Sequence, residues 1–352
     1  MNGEDLSYMR QAGANAKGVA PDASVKQLLR PIENLLKNRK ITEIAINEPG
    51  TVFYMIDGEW LEEENKAVTF AMCEQLATAV AAYTDNRISS DNNILYAQLP
   101  SDERITIVVP PTVPNETVSV TIRIPNSATL TMENYREQGF FAKSNFFEDL
   151  PPEEEDPLLP LLKDSKFEEF IVEAVKRRKN IAVIGDMGSG KTTFMKTLCQ
   201  LIDPKERLIT IEDTRELFLV NHRNKVHMKY SLYGKSKITP TQLIKCTLRQ
   251  TPSRVLPAEL RGAEAFDFLD LLTAVPSGSI TSFHAESLRV WVERFIMMCK
   301  KHPDAGSYSY DELQRLILMT IDVVVHVVRE GNRRFVKEVY YDPSVKRSFA
   351  KR

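Results

Sequence analysis

The chain has 352 residues, of which 43% are hydrophobic and 27% charged, with a formal net charge of −2. That length holds two domains of ordinary size, and that composition excludes a disordered or fibrous chain. The small net charge excludes a whole-molecule field that draws the protein onto nucleic acid or anionic lipid, so any such binding needs a local patch.

Residues 1–20 are small and polar and are expected to form a flexible lead. They contain no apolar stretch of the kind that opens a secretory signal, so a cytosolic location is expected. From Ser24 to Asn38, the residues Leu28, Leu29, Ile32, Leu35 and Leu36 share one helical face despite Pro31. In ITEIAINEPGTVFYMIDGEW two β-rich runs flank a Glu-Pro-Gly turn, the pattern of a hairpin. A helix is expected from about Val68 to Thr84. Two more strands are expected at Arg104 to Val109 and Thr117 to Ile124, across the loop Pro110 to Pro114. Residues 21–141 thus read as an N-terminal α+β domain with an antiparallel sheet.

Residues 142–165 carry four prolines and the acidic run Glu153 to Asp156, a linker signal. After it the pattern alternates. A helix near Lys166 to Arg178 leads into the buried-type strand Ile181 to Ile184, a Gly-rich loop and another helix. RLITIED, VHMKY, RVLPAEL, GSITSFH and IDVVVHVV supply further strands, with helices between most of them, including one near Thr239 to Arg249. Strands alternating with helices argue a mostly parallel sheet covered on both faces over residues 166–345, before a basic tail at 346–352. The longest apolar run, Leu316 to Val328, is broken by Asp322 and His326 and is too short to span a bilayer. Cys73, Cys199, Cys246 and Cys299 are far apart and read as small buried hydrophobes, not as ligands or disulfide halves.

Gly185-Asp-Met-Gly188-Ser189-Gly190-Lys191-Thr192 matches GxxxxGK[ST], with an apolar strand before it and a helix, opening through Thr193, after it. The glycines let the backbone N–H groups turn toward phosphates at the positive end of the helix. Lys191 is expected to reach the β- and γ-phosphates of ATP, and the Thr192 hydroxyl to ligate Mg²⁺.

Binding alone is not hydrolysis, which needs a carboxylate to polarise water and cations to neutralise the γ-phosphate. In RVLPAELRG a short apolar strand ends on Glu259, the first candidate for the water-activating base. In ITIED the strand again leads into acids, and Glu212 is a candidate to support the metal's water shell. GSITSFHA brings a strand to His284; a lone histidine at a strand end is more often structural than catalytic, and the residues by themselves leave it there.

Taken in order, GDMGSGKTT, RLITIEDTREL, RVLPAELRG and GSITSFHAES resemble the Walker A, Asp-box, Walker B and His-box motifs of the secretion ATPases, the hexameric motors of type IV and type II secretion and of type IV pili. DERITIVVPP and TVSVTIRIPN resemble the N-terminal segments that bring arginines to the nucleotide. The likeness covers roughly residues 40 to 340, and the type IV traffic ATPases are the nearest branch, since the cysteines cannot build the zinc module frequent in the type II branch. The resemblance implies a RecA-like C-terminal domain in a homo-hexamer. Lys191 and Thr192 then bind phosphate and Mg²⁺, Glu259 activates water, Glu212 assists at the metal and His284 senses the γ-phosphate. Arg104 and Arg123 approach that phosphate from the N-terminal domain. The partners implied are inner-membrane secretion components, with peripheral membrane association on the cytoplasmic face. Ala258 stands where many members have glycine, and Val275-Pro276-Ser277-Gly278 departs from the commoner Gly-His-Pro-Gly lead. A type II or pilus motor, a RecA-like motor acting on nucleic acid and a nucleotide-gated scaffold stay open as alternatives.

Overall fold

The computed structural model describes residues 20, 22–125, 131–142, 144, 156–231, 237–276 and 278–350. The flexible lead expected at 1–20 (Ala20 aside), most of the acidic run Glu153 to Asp156, Ser277 and the end of the basic tail lie outside them. The described residues form two compact units. The first runs to 125 and includes 237 and 238; the second spans 131–231 and everything from 239 onward.

In the first unit Pro31 divides the expected helix into α1 (Ala23–Leu29), a 3₁₀ turn (Arg30–Ile32) and α2 (Glu33–Lys37). A proline ring cannot continue the α-helical ladder, and the tighter turn absorbs it. Strands β1 (Ile41–Ile46), β2 (Thr51–Ile56) and β3 (Glu59–Glu64) precede α3 (Phe70–Tyr83), whose first turn is capped by the Thr69 hydroxyl accepting from the Met72 amide. Strands β4 (Ile94–Gln98), β5 (Arg104–Val108) and β6 (Ser119–Arg123) complete a six-stranded antiparallel sheet of order β3-β2-β1-β6-β5-β4. Its core joins Val25 of α1, Leu76 and Val80 of α3, and Ile44, Ile107 and Ile122 of the sheet. The sequence pattern foresaw four of these strands. The two it missed, β3 and β4, are the two edges.

The second unit begins with α4 (Met132–Glu137), α5 (Leu158–Lys163) and α6 (Phe167–Lys176). Helix α5 lies within the stretch read as linker, and Leu158 is fully buried in the same core as Phe170 and Val175 of α6. Strand β7 (Ile181–Ile184) runs into the Gly-rich loop and α7 (Lys191–Gln200). There follow β8 (Leu208–Glu212), β9 (Lys225–Lys229), α8 (Pro240–Thr247), β10 (Arg254–Pro257), α9 (Glu264–Ala274), β11 (Ile280–Phe283), α10 (Trp291–Cys299), α11 (Tyr310–Thr320), β12 (Val323–Glu330), β13 (Arg333–Tyr341) and α12 (Pro343–Ala350).

Strands β9, β8 and β10 are parallel neighbours, as are β11, β7 and β12, while β13 pairs antiparallel at the far edge. A parallel bridge from Leu260 to Phe283 joins the two sets, so the order across the unit is β9-β8-β10-β11-β7-β12-β13. Every residue of β7, β8, β10 and β11 is buried, so residues pointing to either face are covered, as a parallel sheet requires. The four cysteines are all buried, and burial pushes the thiols of Cys199 and Cys299 up to about 12.

Candidate active site

Because β7 is buried along its whole length, the chain leaves the sheet at Gly185 hard against its neighbour β12. Gly185 has φ +148°, and a Cβ there would sit 2.1 Å from the Val327 carbonyl oxygen, so no side chain is admitted. Gly190, at φ +98°, is the N-cap of α7, and a Cβ there would meet Cδ of Arg334 at 2.8 Å. The loop between them leads into the first turn of α7, whose leading N–H groups have no carbonyl within the helix to bind.

Lys191 opens α7 and is buried. Its Nζ donates to the carbonyl oxygens of Gly185 at 3.0 Å and Asp186 at 2.8 Å, and lies 3.1 Å from Nδ1 of His284. Burial pushes its pKa below the usual lysine value, against the pull of Glu259 and Asp186. Beside it the Ser189 Oγ is buried with no hydrogen-bond partner among the described residues. Thr192 is half-buried and Thr193 exposed on the same turn. A glycine cradle, an ammonium held only by carbonyls and an imidazole, and an orphaned hydroxyl fit a polyphosphate ligand. Mg²⁺ keeps most of its water and takes few protein groups, so one hydroxyl at Thr192 is a sufficient share.

Glu259 follows the end of β10 and meets an imidazole on one oxygen and a guanidinium on the other. Oε1 lies 3.0 Å from Nε2 of His284, and Oε2 accepts from Nε of Arg261 at 2.8 Å. Arg261 in turn donates to Oδ2 of Asp213 at 2.6 Å, and these two carboxylates raise its already high pKa further against the cost of burial. Glu264 holds the loop from beneath, its Oε1 accepting from the amides of Arg261 and Gly262 at 2.6 and 2.9 Å. Contacts thus run unbroken from Asp213 through Arg261, Glu259 and His284 to Lys191. These residues sit just past the carboxyl ends of β8, β10, β11 and β7, four consecutive strands, which is where ligands bind in open parallel sheets. Ala258 continues the ladder: its N–H donates to the Ile211 carbonyl at 3.0 Å and its carbonyl accepts from the Ser282 hydroxyl at 2.7 Å, while the methyl packs on the core. A groove of ≈ 440 Å³ opens beside His284, bordered by Asp186, Val290, Arg294 and Met297.

Glu212 is placed differently. It is 2% exposed; Oε1 accepts from the amides of Glu216 and Leu217, both at 2.8 Å, and Oε2 accepts from the Thr210 hydroxyl at 2.9 Å. Burial alone raises its pKa, but His227, these amides and Thr210 together hold it below the ordinary glutamate value. Its carboxylate fastens the turn after β8, and the next residue, Asp213, is the one that reaches Arg261.

Arg104 and Arg123 lie in the other unit, directly opposite one another on β5 and β6, both exposed. Nε of Arg123 is 3.6 Å from the buried carboxylate of Glu43. Sequence reasoning missed Asp213 and Arg261 as site residues, although each stands one or two positions beyond a candidate acid. It also missed Arg334, which packs on Gly190 from β13. The Gly331-Asn332 turn between apolar runs was the available signal for that hairpin.

Residues 161–347 match the family described as Type II/IV secretion system protein. The chain is 40% identical over 336 residues to the Type IV secretion system protein VirB11 of Brucella suis biovar 1 (strain 1330), covering 93% of each. It is 37% identical to the Type IV secretion system protein PtlH of Bordetella pertussis (strain Tohama I), covering 92% of this chain and 97% of that one. Its fold is similar to the crystal structure of the VirB11 ATPase from the Brucella suis type IV secretion system in complex with sulphate. That likeness has a TM-score of 0.89 at 39% identity and covers 94% of this chain and 98% of that one.

Proposed function

The chain belongs to the family of type II/IV secretion system proteins, and from that premise we infer that it is the ATPase that powers a type IV secretion system. ATP is its substrate. The observation that carries the reading is the unbroken contact from Lys191 through His284 to Glu259 at the ends of three adjacent strands.

In the proposed mechanism the Gly185 to Thr193 loop binds the phosphates through its backbone N–H groups, and Lys191 exchanges its carbonyl partners for phosphate oxygens. Glu259 accepts a proton from the attacking water. His284, seated between Lys191 and Glu259, couples the state of the phosphate end to the base. Arg261 holds the other oxygen of Glu259 and thereby aims the first. Asp213 anchors that guanidinium, and Glu212 acts at one remove by fixing the turn that carries Asp213. Thr192 would hold Mg²⁺, which supplies neutralisation of phosphate charge when bound. Arg104 and Arg123 belong to the proposal as the arginines that answer to the γ-phosphate, a contribution worth ~10³ to 10⁵ in rate where it is made.

The proposal extends to assembly. Six copies form a ring, docked peripherally on inner-membrane components of the secretion system at the cytoplasmic face. Among the described residues no helix is long and apolar enough to cross a membrane. Residues 21–141 act as the N-terminal domain and residues 166–345 as the motor domain. Phosphate release per molecule, measured against protein concentration with particle mass recorded in parallel, tests this. A per-molecule rate that rises with concentration, as a six-copy particle appears with Mg²⁺ and ATP, is the expected result. Full turnover by a monomer sinks the ring.

A further inference from the structure

The β12–β13 hairpin carries a pair of arginines that the mechanism above leaves unused. Arg329 and Arg334 stand directly opposite one another across the Gly331-Asn332 turn, both exposed. Side chains at directly opposed positions lie on the same face of the ladder, and like charges there repel. Neither guanidinium has a carboxylate partner among the described residues. The Arg329 Nε donates to the Gly331 carbonyl at 2.9 Å, and the Arg334 Nε to the Gly188 carbonyl at 3.3 Å. Arg334 also covers Gly190, where a Cβ would strike its Cδ at 2.8 Å. A Cβ on Gly188 would lie 4.0 Å from NH1 of Arg329. Two unneutralised cations therefore flank the second half of the phosphate loop.

We propose that Arg329 and Arg334 form a second anion clamp, in the same chain as the phosphate loop, that grips the α- and β-phosphates of the bound nucleotide. The inference rests on the reading of Gly185 to Thr192 as the nucleotide site. Position along the sheet decides which phosphates are involved. Glu259 and His284 sit past β10 and β11, on one side of β7, so the γ-phosphate and the attacking water lie there. The hairpin continues β12, on the other side of β7, beside Gly188 and Gly190 at the start of α7. The remainder of the nucleotide extends that way. A diphosphate between the two forks replaces a cation–cation repulsion with two charge-assisted contacts, and guanidinium is suited to such planar, paired recognition. Because ADP keeps both phosphates, the clamp holds product as firmly as substrate.

The test uses the full chain and compares wild type with the Arg329→Ala, Arg334→Ala double variant and with Arg329→Lys, Arg334→Lys. ADP and pyrophosphate are the probes, read by titration and by their effect on Tm. The double alanine variant is expected to lose on the order of 10- to 100-fold in affinity for both probes, the effect of removing hydrogen bonds to charged groups. Its ligand-free Tm stays level or rises as the repulsion is removed, and KM for ATP rises while kcat changes by less than about threefold. The lysine pair, which keeps the charge and loses the fork, retains part of the affinity. Unchanged affinity for both probes overturns the clamp. So does weakened ADP with unchanged pyrophosphate, which moves the contact to ribose or base. A lowered ligand-free Tm with intact binding makes the pair structural and also overturns it. Lys191→Ala run alongside separates the premise: if that variant binds ADP normally, it is the phosphate-loop reading that fails.

Discussion

Two neighbouring strands of the second unit, β8 and β10, lead from apolar residues into acids, yet they deliver their first carboxylates to different fates. Glu212 is 2% exposed with amide and hydroxyl donors on both oxygens. Glu259 has a side chain 19% exposed and is met by an imidazole and a guanidinium. A carboxylate held by backbone amides and a hydroxyl is stabilised as an anion and is a poor acceptor for a proton from water. One held only by side chains, an imidazole and a guanidinium, at the mouth of the site can change partners. The number of acids at a strand end therefore says little about catalysis, and the identity of the donors around each says much.

The largest effect that follows is on Glu259. Glu259→Gln is expected to lower kcat by ~10²–10⁴ with ATP affinity retained, the range for losing a positioned general base. Arg261→Ala sharpens the comparison, because it leaves the proposed base in place and removes the guanidinium that holds it. A fall in kcat of at most about 10²-fold with unchanged KM is expected, in keeping with the cost of misplacing a catalytic group. Asp213→Asn, one contact further out, should fall short of Arg261→Ala in the same assay.

Glu212→Gln belongs to the other side of the comparison and should act on stability. Loss of its charged hydrogen bonds predicts a destabilisation of about 1–3 kcal/mol by denaturant titration, with near-normal turnover per folded molecule. Smaller still is the pH signature. The folded-state pKa values of Glu212 and His227 are both lowered, His227 chiefly by burial. In each case the unfolded chain takes up the proton first as pH falls, so the stability they contribute is complete above the unfolded values and declines below them. His227 begins to withdraw its share below the ordinary imidazole value of 6.5, and Glu212 below the ordinary glutamate value of 4.5. Thermal melts across this range should slope less steeply below pH 4.5 for Glu212→Gln than for wild type.

Much of this arrangement was legible from residues. The phosphate loop announced itself because glycine spacing, an apolar strand and a following helix are all local, and the strand ends at Glu259 and His284 followed from the same alternation. Three strands were not legible: β3 (EWLEEE), β4 (ILYAQ) and β13 (RRFVKEVYY). All three are sheet edges, where one flank needs no pairing partner; in β3 and β13 charged side chains dilute the apolar pattern that marks a buried strand, whereas β4 is apolar but only five residues long. The same dilution in β13 hid Arg334, and with it the opposed pair that it forms with Arg329. Asp213 and Arg261 escaped for another reason. Their significance lies in a pairing across 48 residues of chain, which no local spacing encodes.

The contrast between the two strand ends is tested most directly by measuring ATP affinity and Mg²⁺-dependent phosphate release for Glu259→Gln and Glu212→Gln side by side, at a temperature where both are folded. Glu259→Gln is expected to bind ATP as wild type does and to release almost no phosphate, while Glu212→Gln turns over at close to the wild-type rate. Turnover that survives in Glu259→Gln, or is lost in a folded, ATP-binding Glu212→Gln, contradicts that contrast.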